Sequence, residues 1–107
     1  MSHYTSISSW GPIYWDWLHN LAICYPQYPS DNDSHFYYLK IKKFVENLPC
    51  KVCRTHAIRY ILENYIDLSS NKRFQYWVWN FHNYVNQLTN KKFFTIEEYN
   101  LKYRTRI

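Results

Sequence analysis

The stretch "WGPIYWDWLHNLAICYPQYP" (residues 10–29) predicts the first helix of the chain. Its apolar side chains recur every three or four positions, the spacing of one face of an α-helix: Trp10, Ile13, Tyr14, Trp17, Leu18, Leu21 and Cys24. Pro26 and Pro29 end this helix, because proline lacks a backbone N–H and clashes with the preceding turn. Within this pattern we expect Cys24 to be a small, buried apolar residue.

Helical spacing continues beyond the first helix. "SDND" (residues 30–33) offers caps for a second helix extending to Leu48. The residues we expect to repeat at helical spacing along it are Phe36, Leu39, Lys40, Lys43, Phe44 and Leu48. Pro49 then opens a third helix, from Cys50 to about Asn64.

Two more helices are predicted in the last third of the chain. The serines of "DLSSNKR" (residues 67–73) cap a fourth helix from about Lys72 to Asn90. Thr95, followed three residues later by Glu98, is a capping box that begins a short fifth helix. No strand pattern competes, so the predicted fold class is all-α: a four-helix bundle with a short fifth C-terminal helix. We expect one domain over residues 1–107, with the motifs between about 10 and 103.

Composition and charge narrow the classes of function. The 107 residues include 12 Tyr, 6 Phe and 5 Trp, rings that could fill a small core or enclose a flat conjugated ligand. The formal net charge of +5 suits nucleic acid, an anionic cofactor or an acidic partner, or a merely solvated surface. We see no secretory signal and no apolar stretch of about 20 residues, and therefore expect a cytosolic chain without a membrane span.

The stretch "LPCKVCRTH" (residues 48–56) holds a CxxC pair that could serve several chemistries. Haem attachment is excluded because Arg54, not histidine, follows the second cysteine. Zinc could be bound by Cys50, Cys53 and His56, with a fourth ligand from His82, His19 or Cys24. The helical pattern argues against a thioredoxin-like fold, although not against its chemistry.

A redox dithiol is the interpretation that best suits this position. Pro49 puts Cys50 at the start of a helix, where unpaired N–H groups and the helix dipole stabilise a thiolate. Arg54 and His56 add positive or protonatable groups. We therefore expect a lowered thiol pKa. Such a pair needs an electron acceptor, because thiol exchange alone only moves the electrons to another thiol.

Two other helical faces carry candidate ligand-binding residues. Trp15 and His19 share a face of the first helix with Gly11, which lacks a side chain and allows close approach to the backbone. On the fourth helix, His82, Val85 and Asn86 share a face. That histidine alone would more often be a satisfied core residue.

Four motifs in order resemble the Erv/ALR family of FAD-linked sulfhydryl oxidases. They are W-G-x-x-x-W-x-x-L-H from Trp10, A-x-x-Y-P-x-x-P from Ala22, P-C-x-x-C from Pro49, and H-N-x-V-N from His82 with a lysine soon after. The similarity covers nearly the whole chain.

The resemblance implies a dimeric four-helix bundle with FAD in its mouth. By this similarity Cys50 and Cys53 are catalytic: Cys53 lies against the flavin, and Cys50 faces outward and forms the mixed disulfide with a substrate thiol. The positions matching cofactor-binding residues are Trp10, Gly11, Trp15, His19, Cys53, His82, Asn83, Val85, Asn86, Lys91 and Tyr103. No metal is implied. The implied reaction converts protein thiols to disulfides and passes electrons through FAD to O2, which gives hydrogen peroxide.

The chain departs from cellular members of the family. They carry a further structural disulfide where this chain has Trp79 and Ile96, so we expect Trp77, Trp79 and Phe81 to hold that end by packing. A short chain without this disulfide most resembles the enzymes of large cytoplasmic DNA viruses. That similarity implies action in the host cytoplasm (the viral factory) or the virion, on a small viral thiol relay protein, with neither nucleic acid nor membrane as partner. The alternative is a zinc-stabilised helical module that uses Cys50, Cys53 and His56 to bind a protein or nucleic acid.

Overall fold

We describe a computed structural model of the chain from His3 to Ile107, with side chains from Gly11 onward. It contains five helices: α1 (His3–Ile23), α2 (Asp31–Glu46), α3 (Lys51–Glu63), α4 (Asn71–Leu88) and α5 (Ile96–Tyr103). Residues 3–107 contain no strand, so the all-α prediction is confirmed. None of the helices over this range is long and apolar enough to cross a bilayer.

The predicted caps lie where the helices begin. Ser30 forms a capping box with Asp33, and Thr95 forms one with Glu98. Ser70 caps α4 by accepting a hydrogen bond from the backbone N–H of Arg73. These short polar side chains satisfy N–H groups that the first turn of a helix leaves unpaired.

Two helix ends differ from prediction. Helix α1 begins at His3, seven residues before the expected start, because helical backbone without apolar periodicity gives no signal in the sequence. Helix α4 ends at Leu88 instead of Asn90, which adopts a left-handed conformation with φ 56°. The turn is closed by a hydrogen bond from Lys91 N to Asn86 O (2.8 Å). This type of C-cap redirects the chain sharply toward α5.

The core lies between the inward faces of the first four helices. It is formed by Leu18 and Ala22 of α1, Ile41 and Val45 of α2, Ala57 of α3, and Phe74, Val78 and Phe81 of α4. Burying such side chains provides most of the free energy that holds helices together.

Several residues of the predicted helical patterns are exposed, and the predicted burial of Cys24 is wrong. Phe36 and Leu39 are exposed because α2 turns Ile41 and Val45 inward, which leaves Lys40 and Lys43 in water. Ile13 is also exposed. Cys24 is exposed because α1 ends at Ile23, so the cysteine falls in the following turn and not on the buried face.

A chain of buried hydrogen bonds joins α1, α4 and α5. The Asn71 side-chain amide donates to the carbonyls of Ala22 (3.2 Å), Ile23 (2.9 Å) and Tyr25 (2.5 Å), satisfying acceptors at the end of α1. Its oxygen accepts from the amide of Gln75 (2.6 Å), whose own oxygen accepts from the Tyr99 hydroxyl (2.6 Å). These bonds fix where α5 packs.

Candidate functional site

The CxxC pair lies at the N-terminus of α3. Cys50 is the N-cap residue, with extended backbone dihedrals, and its Sγ accepts a hydrogen bond from the backbone N–H of Cys53 (3.3 Å). Both cysteines are free thiols. Cys50 is only 4% exposed, whereas Cys53 is partly exposed. The more buried thiol is therefore the one that the resemblance implied to face outward.

The predicted lowering of the thiol pKa is wrong for Cys53. Burial, together with the hydrogen bond and charge of Cys50, raises the pKa of Cys53 to about 12. The charge of Arg54 opposes this rise in pKa but is the weaker effect. The Arg54 guanidinium donates to the carbonyl of Leu48, so it also holds the turn that precedes Cys50.

Cys53 opens into a cavity between α1, α2, α3 and the end of α4. The predicted residues that line this cavity are Gly11, Trp15, Cys53, Val85, Asn86 and Lys91. The structure therefore brings together six of the positions chosen from three separate motifs.

Eight other lining residues were not among the predicted cofactor-binding positions. They are Tyr14, Phe44, Leu48, His56, Ala57, Phe81, Leu88 and Thr89. Helical spacing could have found several of them, because Tyr14 follows Gly11 by three positions and Phe81 precedes Val85 by four.

Below this cavity, two predicted histidines contact each other. His19 Nε2 lies 2.8 Å from His82 Nδ1, and the Trp15 ring stacks on His82 with centroids 4.0 Å apart. The ring of Tyr103 packs against His19 at 4.8 Å. This group, the histidine cluster, consists of Trp15, His19, His82 and Tyr103 and joins α1, α4 and α5.

Both histidines of the cluster are held neutral. Burial lowers the pKa of His19 to about 3 and that of His82 to about 4, and nearby Lys102 lowers both further. In a neutral pair one ring nitrogen donates and the other accepts, which suits the contact between them. The Nδ1 atom of His19 is buried without a hydrogen-bond partner among the described residues.

Tyr103 is fixed at the edge of the cluster by Asp16. Its hydroxyl donates to the Asp16 carboxylate (2.6 Å), which also forms a 3.5 Å ion pair with Lys102. The hydrogen bond from Tyr103 lowers the pKa of Asp16, and burial raises that of Tyr103. Asp16 was not predicted as a site residue, because nothing in the sequence around it on α1 indicated a contact with Tyr103.

Asn83 and Trp79 anchor the loop between α4 and α5. The side-chain amide of Asn83 donates to Phe94 O (3.0 Å) and its oxygen accepts from Phe94 N (2.8 Å). Trp79 Nε1 also donates to Phe94 O (2.9 Å). The prediction that aromatic residues hold this end is confirmed for Trp79. The remaining predicted position, Trp10, has a side chain outside the described residues.

A wider groove adjoins the cavity. It has a volume of about 820 Å³ and shares Asn86 and Lys91 with the cavity. Tyr60, Trp77 and Asn83 also line it. The groove therefore borders the cavity at the C-terminal end of α4.

Comparison with known proteins identifies the family. The model of the Erv1/Alr family matches residues 12–105. The chain belongs to the Erv1/Alr family.

Similar proteins are named as FAD-linked sulfhydryl oxidases or as an FAD binding domain. The FAD-linked sulfhydryl oxidases of African swine fever virus isolates Pig/Kenya/KEN-50/1950 and Warthog/Namibia/Wart80/1980 are 40% and 41% identical, over 84% of this chain and 76% of theirs. The crystal structure of the FAD binding domain of Erv1 from Saccharomyces cerevisiae matches with a TM-score of 0.84 at 26% identity. It covers 90% of this chain and 91% of that one. This Erv1/Alr protein is an FAD-linked thiol oxidase, as predicted.

The residues around the cavity fit FAD. Gly11 is buried in the wall, where the absence of a side chain leaves the backbone open to a flat ring. Trp15 and Phe81 offer aromatic surface, and the exposed Lys91 offers a cation for phosphate. The cavity measures about 80 Å³, and the exposed Leu88 also lines it.

The alternative zinc site has no support in the described part of the chain. No group of three or more histidine, cysteine or carboxylate side chains there could hold a metal ion. Cys50 and Cys53 are close enough for a hydrogen bond between them, but His56 does not complete a metal-binding set.

The histidine cluster predicts a pH-dependent stability. The unfolded chain binds protons at the ordinary histidine pKa of 6.5, whereas folded His82 binds one only near pH 4 and His19 near pH 3. The contribution of these histidines to the free energy of unfolding is therefore fully present above pH 6.5. It is lost as pH falls toward 4, by up to about 1.4 kcal/mol per pH unit for each histidine. Chemical denaturation at a series of pH values measures this slope.

Two variants test the assignment of this slope to the cluster. His82→Asn should remove about half of the slope between pH 6.5 and 5, a range in which carboxylates contribute little. His35→Asn, which changes an exposed histidine of α2, should leave it unchanged. A slope unaffected by His82→Asn would contradict the neutral, buried pair.

Proposed function

We propose that this chain oxidises the thiols of protein substrates to disulfides, with O2 as the final acceptor and hydrogen peroxide as the product. The observation that carries the proposal is the placement of Cys53. It follows the N-cap cysteine by three residues and lines the one cavity that also contains Gly11, Trp15, Val85, Asn86 and Lys91. A thiol at that point can exchange with Cys50 on one side and meet a ring in the cavity on the other.

The two cysteines take different parts in the proposed reaction. A substrate thiolate attacks Cys50 of the Cys50–Cys53 disulfide, forms a mixed disulfide and releases Cys53. A second substrate thiol then resolves the mixed disulfide. This order is supported by the cavity lining, which includes Cys53 but not Cys50. Because Cys50 is 4% exposed, attack requires the turn at Pro49 to move, and the exposed Pro49 and Lys51 on either side leave room for that movement.

Other residues position the cofactor and keep water from the reacting sulfur. When bound, FAD takes the electron pair of the dithiol and delivers it to O2. Trp15, which stacks on His82, offers a ring surface in the cavity, and Lys91 lines both the cavity and the wider groove, which suits the pyrophosphate. Apolar Leu48, Ala57 and Phe81 shield Cys53 from solvent.

Replacing the cysteines separately tests their roles. Cys53→Ser should keep bound FAD but lose dithiol-dependent peroxide production by on the order of 1,000-fold, because the electron path to the flavin is cut. Cys24→Ser changes the exposed cysteine outside the cavity and should retain full activity. Flavin absorbance and a peroxide assay measure both. A Cys53→Ser enzyme with most of its turnover would contradict the assignment.

We further propose a viral role, supported by the African swine fever virus relatives. The chain would be virus-encoded, act in the host cytoplasm or the virion, and oxidise a small viral thiol relay protein that serves virion proteins. In the Cys53→Ser variant, the Cys50 thiolate can attack the disulfide of an oxidised relay and release one relay thiol. Without Cys53 to resolve it, the mixed disulfide should accumulate in infected cells. Recovery of host secretory proteins alone would refute this role.

We also propose that the chain forms a homodimer through α1 and α2. These helices expose large apolar side chains, Ile13 (69%), Trp17 (42%), Phe36 (57%) and Leu39 (48%), and apolar surface of this kind marks interaction sites.

A pair of matched substitutions tests the dimer. Ile13→Glu places a charge on the proposed interface and should convert the dimer to a monomer by light scattering. Leu62→Glu, at an α3 position of nearly equal exposure (70% against 69%), should leave the dimer intact. A wild-type chain that is monomeric, or an Ile13→Glu dimer, would refute the proposal.

A further inference from the structure

We infer that His56 accepts the proton of the Cys53 thiol during turnover, an assignment that rests on the proposed thiol oxidase function. His56 takes no part in the cofactor-binding set predicted above. It lies outside the histidine cluster, and the sequence offered it only as a zinc ligand or as a protonatable group near the dithiol.

The geometry places His56 beside the reacting sulfur. His56 follows Cys53 by three residues within α3, so both side chains lie on one face of that helix, with Cβ atoms about 5–6 Å apart. Both line the same cavity. His56 is only partly buried, so a proton that it accepts can leave to solvent.

The ring nitrogens of His56 are available for this task. His56 makes no hydrogen bond or ion pair with any other side chain in the described part of the chain, unlike His19 and His82, which bond to each other. A neutral imidazole always carries one nitrogen with a free lone pair. Among the histidines near the site, His56 alone combines that lone pair with a place in the cavity wall.

Cys53 needs a proton acceptor. Its pKa, raised to about 12 chiefly by burial, keeps the sulfur protonated in neutral solution, whereas the thiolate is the reactive form. As the Cys50–Cys53 bond re-forms, the dithiol loses two electrons to FAD and two protons. His56 takes the proton of Cys53, becomes an imidazolium and returns that proton to water. The proton of the Cys50 thiol leaves to solvent. The electron pair goes to FAD, whose reduction takes up protons from solvent, so atoms and charge balance.

No other group around the cavity can replace this base. The titratable or charged neighbours are Tyr14 from α1, Lys91 from the loop after α4, and Arg54, Arg59 and Tyr60 from α3 itself. Helix α2 contributes only Phe44, and the turn after it contributes Leu48, neither of which titrates. Ammonium and guanidinium groups have no lone pair to accept a proton, and a phenol is itself protonated at neutral pH. These cations instead favour a thiolate once the proton has left.

Chemical rescue tests the assignment. His56→Ala should lower turnover by about 10- to 100-fold while FAD stays bound, in keeping with the loss of a general base. Added imidazole should restore most of the rate. Pyrazole, which has nearly the same shape but is far less basic, should not. The control, His35→Ala, changes an exposed histidine of α2 and should keep the wild-type rate. Wild-type turnover by His56→Ala, or equal rescue by pyrazole, would overturn the inference.

A second measurement does not depend on turnover. In the FAD-loaded Cys50→Ser protein, where serine keeps a good N-cap, alkylation of Cys53 by iodoacetamide is followed across pH by peptide mass spectrometry. With His56 present the rate should rise between about pH 5 and 8, and adding His56→Gln should remove that rise. The exposed Cys24 serves as the internal reference. A rise that persists in His56→Gln overturns the inference. The same measurement decides the matter if His56→Ala is slow and neither imidazole nor pyrazole restores its rate.

The two proposals fail in different ways. A wild-type protein that makes no peroxide from dithiols would refute the oxidase function itself. An active wild-type enzyme whose His56 variants behave as wild type would refute only the role of His56.

Discussion

The contact between His19 and His82 is the constraint on which the rest of this structure depends. Two imidazoles meet at 2.8 Å inside a small protein, so at most one could carry a proton on both nitrogens, and burial keeps both neutral. Trp15 stacks on one ring, while Tyr99 and Tyr103 of α5 pack against the other. The pair therefore fixes how α1 lies on α4 and where α5 closes over them. Trp15, which stacks on His82, also lines the cavity beside Cys53.

Two opposing effects act on the CxxC pair, and burial is the stronger one for Cys53. A helix N-terminus stabilises an anion by about 0.3–1 kcal/mol at an exposed site. For a partly buried thiolate, the free-energy cost of desolvation can exceed this stabilisation. Cys50 takes the N-cap position and uses one of the free N–H groups for its own Sγ. Cys53 is left with less help from the helix and a raised pKa. The site thus makes proton removal from Cys53 a step that needs a partner.

Much of the fold could be predicted from the sequence because its signals are local. Ser30, Ser70 and Thr95 cap helices by bonding to N–H groups two or three residues away, so their types and spacing are sufficient. The face that α2 buries could not be predicted in this way. Its apolar residues allow two neighbouring stripes, and only packing against α1 and α3 selects Ile41 and Val45 over Phe36 and Leu39. The wider groove was also missed, since it is lined from α3, α4 and the loop after α4, which are distant in sequence.

The proposed function requires that FAD lie in the cavity beside Cys53, where Gly11 leaves space for the ring. The molar ratio of flavin to protein, from visible and ultraviolet absorbance of purified wild type and Gly11→Leu, tests this placement. We expect about one flavin per wild-type chain and little in a Gly11→Leu protein with unchanged helical circular dichroism. A folded wild-type protein that binds no FAD on incubation, or a Gly11→Leu protein that binds it equally well, would refute this placement of the cofactor.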